Sequence, residues 1–301
     1  MSYHENILET VGDTPVIKMS KMCLHGAVFG KAEFLNPGGS IKDRVAKHIL
    51  LKGLEDKLIV PGKSVILEAT SGNTGIGMAL VGNNIGCEVI IVMPENMSEE
   101  RKKIIRALGA KLVLTPAEDS LNGCLKKLEE IRSELGERAF IPDQFTNPLN
   151  PEVHYLHTAQ ELWRDLDGKI DVFVAGVGSG GTLQGVGRFL KEKSPETRVV
   201  AVEPRTNSAL LGREPGLHQI QGIGDGFVPD VLDKELIDMV ITVTDDDAIV
   251  TTRKIARNEG ILVGTSSGAN VWAALELATP RRNVVTVLPD RAERYFSTAL
   301  I

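Results

Sequence analysis

The sequence predicts an α/β protein of two lobes, each a mostly parallel twisted sheet with helices on both faces. Three observations predict it. Short β-branched runs alternate along the chain with helix-length stretches. Those runs are apolar at nearly every position, as strands buried on both faces are, rather than alternating apolar and polar. The length of 301 residues, at about 150 residues per domain, gives two lobes.

In order, residues 64–70 (SVILEAT) read as a strand, and a helix starts at Asn73 and runs to about Val81. Residues 87–93 (CEVIIVM) are a second strand, closed by Pro94. Residues 98–108 (SEERKKIIRAL) are an amphipathic helix with Ser98 at its N-cap and Gly109 just past its end. A strand at 110–114 and a helix at 121–135 follow. The order then repeats: strand 171–177, helix 182–193, strand 198–202, strand 239–243, helices 246–258 and 267–277, and strand 283–288. Residues 143–151 (DQFTNPLNP) carry two prolines and no periodicity, so they read as the segment between the lobes.

Composition narrows the function. Hydrophobic residues are 42% and charged residues 25%, which argues against long disorder. With 34 basic and 40 acidic residues the net charge is −6, so neither nucleic acid nor an anionic membrane is expected as the main partner. Three widely spaced cysteines with no CxxC pair make neither a disulfide framework nor a structural zinc site. Residues 1–15 hold no apolar signal core, and the apolar runs fall short of the roughly 20 residues of a membrane helix. The expected compartment is the cytoplasm. Glycine is abundant, at 30 residues, and marks where backbone turns sharply or approaches a ligand.

Five glycine-rich segments stand out. In NPGGSIKDR (36–44), Ser40 is placed to cap a helix with Lys42 in its first turn. The helix dipole disfavours a cation there, which biases the lysine toward its neutral, nucleophilic amine. The bland alternative is a solvated lysine beside an Asp43/Arg44 pair. EATSGNTG (68–75) runs from strand to helix through a turn of hydroxyl and amide side chains, a site for a carboxylate or phosphate; the alternative is a well-capped loop. GVGSGGT (176–182) offers many amides, two hydroxyls and no bulky side chain, as a phosphate cradle does. It also fits G-x-G-x-x-G, with Glu203 as the acidic partner of a dinucleotide fold, but that reading leaves Lys42 and the Asn73 loop unexplained. GTSSGA (264–269) is a small-residue turn that suits a flat ligand. GIGDGFVP (222–229) packs three glycines around Asp225. His154 and His157, with Glu152 and Glu161 nearby, could suggest a metal site; an ordinary polar helix face is favoured, and no metal is expected.

NPGGSIKDR, EATSGNTGIG, GVGSGGT, GIGDGFVP, GTSSGAN (264–270) and PDRAERYFST (289–298) occur in one order across essentially the whole chain. This set resembles the cysteine synthase (O-acetylserine sulfhydrylase) and cystathionine β-synthase family, pyridoxal 5′-phosphate enzymes of the tryptophan-synthase-β fold type. The resemblance implies that the cofactor sits in the cleft between the lobes and that Lys42 forms its Schiff base. Asn73 would bond its 3′-oxygen, Gly178, Ser179, Gly180, Gly181 and Thr182 its phosphate, and Ser266 its ring nitrogen. Thr70, Ser71, Gly72, Asn73, Thr74, Gln144 and Gly224 would bind the amino-acid substrate. Residues 41–146 would form a smaller, mobile lobe carrying the carboxylate loop, and 1–40 with 147–301 the larger lobe.

The implied reaction is β-replacement on O-acetyl-L-serine by sulfide, through an aminoacrylate, to give L-cysteine. Asp225 departs from the family pattern, which has a small apolar residue or an aromatic there. As a second catalytic candidate, it opens an alternative: a cysteine β-lyase or β-replacement enzyme that releases hydrogen sulfide and gives serine or cystathionine. The family also implies a homodimer and, by analogy only, serine acetyltransferase as a partner.

Overall fold

The structure, a computed structural model, describes residues 3–70, 72–298 and 300. In chain order the first elements are β1 (Val16–Lys18), β2 (Ala27–Lys31), α1 (Lys42–Glu55), β3 (Val65–Ala69), α2 (Asn73–Asn84), β4 (Glu88–Pro94), α3 (Glu99–Ala107) and β5 (Lys111–Thr115). There follow α4 (Ser120–Leu135), β6 (Ala139–Phe140), α5 (Leu149–Val153), α6 (Ala159–Asp165), β7 (Val172–Gly176) and α7 (Gly181–Lys193). The chain ends with β8 (Arg198–Pro204), β9 (Met239–Val243), α8 (Asp245–Lys254), α9 (Thr265–Leu277) and β10 (Asn283–Val287). A π-helical stretch, His154–Thr158, joins α5 to α6. Among the described residues no helix is long and apolar enough to cross a membrane.

The chain divides into two compact units: Met1–Val11 with Asn36–Gln144, and Gly12–Leu35 with Phe145–Ile301. The sequence reading put residues 1–40 in the larger lobe, and this partition differs for physical reasons. Leu8 is buried in the apolar core of the smaller unit, which takes the first eleven residues with it. The turn before α1 is bound to that helix, because Gly38 N–H donates to Asp43 Oδ2 at 2.6 Å.

The smaller unit holds a four-stranded parallel sheet in the order β5-β4-β3-β6. Alternate strand residues face opposite ways. Ile66, Val89 and Ile91 pack on Leu50 of α1, Ile76 of α2 and Ile105 of α3. Val65, Leu67, Ile90 and Val92 pack on Cys124 and Leu128 of α4. Both faces are therefore covered, and each fully buried Val, Leu or Ile contributes about 1.5–3 kcal/mol.

The larger unit holds six strands in the order β1-β2-β10-β7-β8-β9. Only the β1–β2 pair is antiparallel among them. Val172, Val174, Val200 and Val202 join Ala248, Ala269 and Ala273 of α8 and α9 on one face. Phe173, Ala175, Val199 and Ala201 join Leu162, Leu183 and Phe189 of α6 and α7 on the other. The sequence reading assigned no strand before residue 64. β1 is three residues long and β2 ends in a lysine, so neither looks like a core strand. Lys31 is nonetheless buried, donating to Thr14 O at 2.5 Å and paired with Glu161 at 2.9 Å. A buried charge survives when paired and hydrogen-bonded in this way.

Each sheet has a point where the strand order reverses. In the larger one the chain leaves β7 toward β8 and β9, and β10 comes back on β7's other side. In the smaller one it leaves β3 toward β4 and β5, and β6 comes back beside β3. The carboxyl ends of strands at such switch points are where open α/β sheets bind ligands. The segments 70–75 and 177–182 follow β3 and β7 directly.

Candidate functional site

In the smaller unit Lys42 opens α1. Ser40 Oγ accepts from the Lys42 backbone N–H at 3.3 Å, so Ser40 does serve the helix start, although the N-cap residue is Ile41. Lys42 is half-buried, and Asp43 and Arg44 are buried. A solvated lysine beside a surface ion pair does not describe this place.

The turn after β3 is held by its own hydroxyls. Gly72 N–H donates to Thr70 Oγ1 at 3.2 Å, and Thr74 Oγ1 donates to Gln144 Oε1 at 2.7 Å. Thr70, Thr74 and Gln144 are all buried. Asn73 is the first residue of α2, whose N-cap is Gly72. The structure thus brings Thr70, Gly72, Asn73, Thr74 and Gln144 together at the carboxyl end of β3. Ser71, expected among them, lies outside the described residues. Arg101 of α3, a residue to which the sequence reading gave no role, is buried against this turn. A Cβ on Gly72 would lie 3.2 Å from its Nε. The signal available in sequence was a cation in the first turn of a helix, against the dipole.

Glu68, on β3, is also buried, and the sequence reading gave it no role. Burial, and then the charge of Asp143, push its carboxyl up to about 8; the Asp143 N–H and the Lys42 charge pull it back only partly. The folded chain therefore holds a proton on Glu68 from pH 4.5 to about 8 that the unfolded chain releases. Its contribution is most favourable at low pH and declines as pH rises through this window. The neutral isostere Glu68→Gln is expected to gain stability on the wild type between pH 5 and pH 9, on the order of 2–4 kcal/mol. Thermal unfolding of both proteins across that range measures it, and parallel curves would refute the protonated Glu68.

In the larger unit β7 ends at Gly176, and α7 starts at Gly181 with Gly180 in the left-handed region at φ 79°. A Cβ on Gly178 would lie 2.4 Å from the carbonyl oxygen of Gly222 and 3.7 Å from Asp225 Oδ2. A Cβ on Gly181 would lie 2.0 Å from Asn150 Oδ1. The turn is packed against the 222–226 loop and α5, and it opens the first turn of α7 with buried glycines. That is a fit for a phosphate: amides, hydroxyls and a dipole, with no side-chain bulk.

Asn150 Nδ2 donates to Ser179 Oγ at 3.1 Å, and His154 Nε2 lies 3.3 Å from Thr182 Oγ1. Sequence reasoning missed both. It took Asn150 for part of a linker and His154 for part of a polar helix face shared with His157. The π-helical turn separates the two histidines: His154 is buried and His157 exposed.

Gly222, Gly224 and Gly226 all have positive φ, so the loop winds tightly around Asp225, which is exposed. Gly224 N–H donates to Val177 O at 2.9 Å, tying this loop to the end of β7. Ser266, the second residue of α9, is buried. A Cβ on Gly222 would come 3.9 Å from its Oγ. Asn270, one turn later, accepts from Gly176 N–H at 2.8 Å and donates to Val287 O at 2.9 Å. It clamps α9 to the ends of β7 and β10, a role that spacing alone did not reveal. Gly178 to Thr182, Gly224, Asp225 and Ser266 thus converge within this unit.

Comparison with known proteins gives these two clusters a context. A family model described as pyridoxal-phosphate dependent enzyme matches residues 7–290. A cysteine synthase of Staphylococcus aureus (strain Mu50) is 46% identical over 98% of this chain and 96% of its own length. The crystal structure of O-acetyl serine sulfhydrylase isoform 3 from Entamoeba histolytica superposes with a TM-score of 0.94 at 40% identity, over 99% of this chain and 92% of that one. That of a hydrogen sulfide-producing enzyme from Fusobacterium nucleatum does so with a TM-score of 0.94 at 38% identity, over 98% of this chain and 100% of that one. With matches of this extent, and with a glycine cradle and a helix-opening lysine in the places the fold reserves for ligands, the chain belongs to the pyridoxal-phosphate dependent enzymes, in their cysteine synthase group.

Proposed function

We propose that the protein catalyses β-replacement on O-acetyl-L-serine by sulfide, yielding L-cysteine and acetate. The observation that carries this reading is the cluster in the smaller unit. Hydroxyl and amide groups of Thr70, Gly72, Asn73, Thr74 and Gln144 are held together at the strand end, and α2 packs on the helix that Lys42 opens: a Cβ on Gly77 would lie 2.9 Å from Lys42 O.

Pyridoxal phosphate, when bound, supplies an electron sink that acidifies the substrate's α-carbon and eases loss of its β-substituent. The chain supplies the rest. Lys42 Nζ would hold the cofactor and, as a free amine, would take the α-proton and later return it. Thr70, Ser71, Gly72, Asn73, Thr74, Gln144 and Gly224 would hold the amino acid, with the carboxylate on the 70–74 turn, and Asn73 would also bond the cofactor's 3′-oxygen. Gly178 to Thr182 would hold the phosphate. Ser266 would face the ring nitrogen with a neutral hydroxyl, which cannot keep that nitrogen protonated as a carboxylate would. Through that neutral hydroxyl Ser266 would favour prompt departure of the β-group over transamination. The β-carbon's C–O bond breaks with its electron pair on acetate, and a sulfide lone pair makes the new C–S bond. The smaller unit carries the carboxylate-binding turn, and we read it as the lobe that moves when substrate binds. The test is sulfide-dependent formation of cysteine from O-acetylserine by purified protein; no cysteine would refute the reading.

Asp225 favours a second reading, in which L-cysteine is the substrate and hydrogen sulfide the leaving group. Its carboxylate lies 3.7 Å from the Cβ position of Gly178. A negative charge beside the cradle repels an anionic co-substrate and can orient water or an incoming thiol. Serine or cystathionine would then be the other product. With cysteine alone, Asp225→Ala is expected to release hydrogen sulfide several-fold more slowly than the wild type. Equal rates and equal product ratios would remove Asp225 from the reaction.

The finer points belong to the same reading: a cytoplasmic homodimer, with serine acetyltransferase as a partner by family analogy. Sedimentation alone and with that enzyme tests both.

A further inference from the structure

We propose that Asn207 and His218 are positioning residues: each donates a hydrogen bond to the Gly224 carbonyl, and together they fix the peptide that carries Asp225 beside the cradle. This rests on the reading that gives Asp225 a part in the reaction of L-cysteine.

The loop needs such a device. Gly222, Gly224 and Gly226 all have positive φ, and a glycine on each side of Asp225 leaves the peptides around it nearly free to turn. Gly224 is held at both ends. Its N–H donates to Val177 O at 2.9 Å. Its oxygen lies 2.8 Å from Asn207 Nδ2 and 2.9 Å from His218 Nε2. A carbonyl oxygen only accepts, through two lone pairs, so both neighbours donate and both lone pairs are taken. That settles the histidine: Nε2 carries a proton. A peptide is planar and trans, so pinning this oxygen also fixes the Asp225 nitrogen and the direction in which the chain enters Asp225. Asp225 Oδ2 then lies 3.7 Å from the Cβ position of Gly178.

Both donors are left incompletely satisfied. Asn207 is 7% exposed, and its Oδ1 has no hydrogen-bond partner among the described residues. His218 is half-buried, and its Nδ1 is buried without a partner there as well. Buried polar atoms of this kind are few in folded proteins and call for a reason; here both side chains turn toward one carbonyl. Their support comes from the carboxyl end of β8. Glu203, which the sequence offered as the acidic partner of a dinucleotide fold, is buried and accepts from Ser208 Oγ at 2.5 Å and from Leu210 N–H at 3.2 Å. Thr206 Oγ1 donates to Leu217 O at 2.9 Å. These bonds tie the chain neighbours of Asn207 and His218 to the strand end and to each other.

Nitrogen-15 spectra of the holoenzyme with labelled histidine test the clamp itself, His218 being the resonance lost in His218→Gln. The expected signal is Nε2–H; an Nε2 without a proton overturns the proposal. Hydrogen sulfide release from L-cysteine tests its purpose. Asn207→Leu and His218→Phe each remove one donor at similar volume. Each is expected to lower kcat about three- to tenfold, the order of one net hydrogen bond, with KM for cysteine unchanged because the 70–74 turn holds the carboxylate. His218→Gln, which keeps an N–H donor, should recover most of the rate. In an Asp225→Ala background neither substitution should slow release further. Equal rates for the wild type and Asp225→Ala would overturn the reading of Asp225 and the proposal with it. A slow Asp225→Ala beside clamp variants at the wild-type rate would overturn the proposal alone. Losses that add to that of Asp225→Ala would mark a general loosening of the loop and overturn it as well.

Discussion

Lys42→Ala is expected to lower turnover by roughly 10³-fold or more, since it removes both the covalent hold on the cofactor and the base for the α-proton. The purified variant should also lack the yellow of bound cofactor. The fold should survive. Lys42 is half-buried and makes the first residue of α1. Alanine is the better helix former, and removing a cation from a helix N-terminus relieves a small dipole penalty of about 0.3–1 kcal/mol. The change has one side effect that can be read separately. Lys42 is the charge that helps hold the Glu68 carboxyl down, so its loss should raise the pH at which Glu68 ionises. Far-ultraviolet circular dichroism and a melting curve establish folding, and absorbance and cysteine formation read the site. A folded, colourless, inactive variant is the expected result. A yellow variant that keeps its rate would show that the covalent site lies elsewhere and would refute the assignment of Lys42.

Gly178→Ala is expected to have the second largest effect, and to act through geometry alone. The added carbon would lie 2.4 Å from the Gly222 carbonyl oxygen, where ordinary contact starts near 3.4 Å. The clash is with backbone, so no side chain can swing aside. One of the two loops must move by about 1 Å, a displacement that in an active site costs on the order of 10²-fold. Val177 O accepts from Gly224 N–H, so the loops are laced together beside the clash, and the shift disturbs the cradle and the setting of Asp225 at once. Overpacking of this kind costs about 1–3 kcal/mol, or roughly 2–5 °C in melting temperature for a chain of 301 residues. Cofactor retention and melting temperature, measured together, test it. An alanine variant that melts with the wild type and keeps its cofactor would show that the loops are not in contact in solution.

The two predictions draw on different levels of the chain, and so does the legibility of the protein. The sheets were legible because strands covered on both faces leave an unbroken apolar run. Val65, Ile66 and Leu67 in β3 and Val172 to Ala175 in β7 bury alternate residues in opposite cores. The edge elements were not. β1 and β6 are too short to carry a pattern, and β2 ends in a lysine whose neutralising partner Glu161 is 130 positions away. Likewise the glycine turns were legible, because a strand followed by glycines and a helix has local causes. What packs against them was not, and this is why the partition of residues 1–40 between the units also needed the fold.

By itself, then, the sequence determined the alternating α/β pattern, the turns at the strand ends, the helix-opening lysine and the family. The first three rest on neighbours within a few residues, where periodicity and turn chemistry act, and the family rests on the order of six such motifs along the chain. Only the tertiary structure decided that Glu68 keeps its proton, that Arg101 is buried against Gly72, and that Asn150 and His154 stand behind Ser179 and Thr182. Those properties depend on burial and on partners up to some 75 residues apart in sequence. The free energy of a charge or a hydroxyl is set by what surrounds it in space, and one-dimensional spacing does not carry that information.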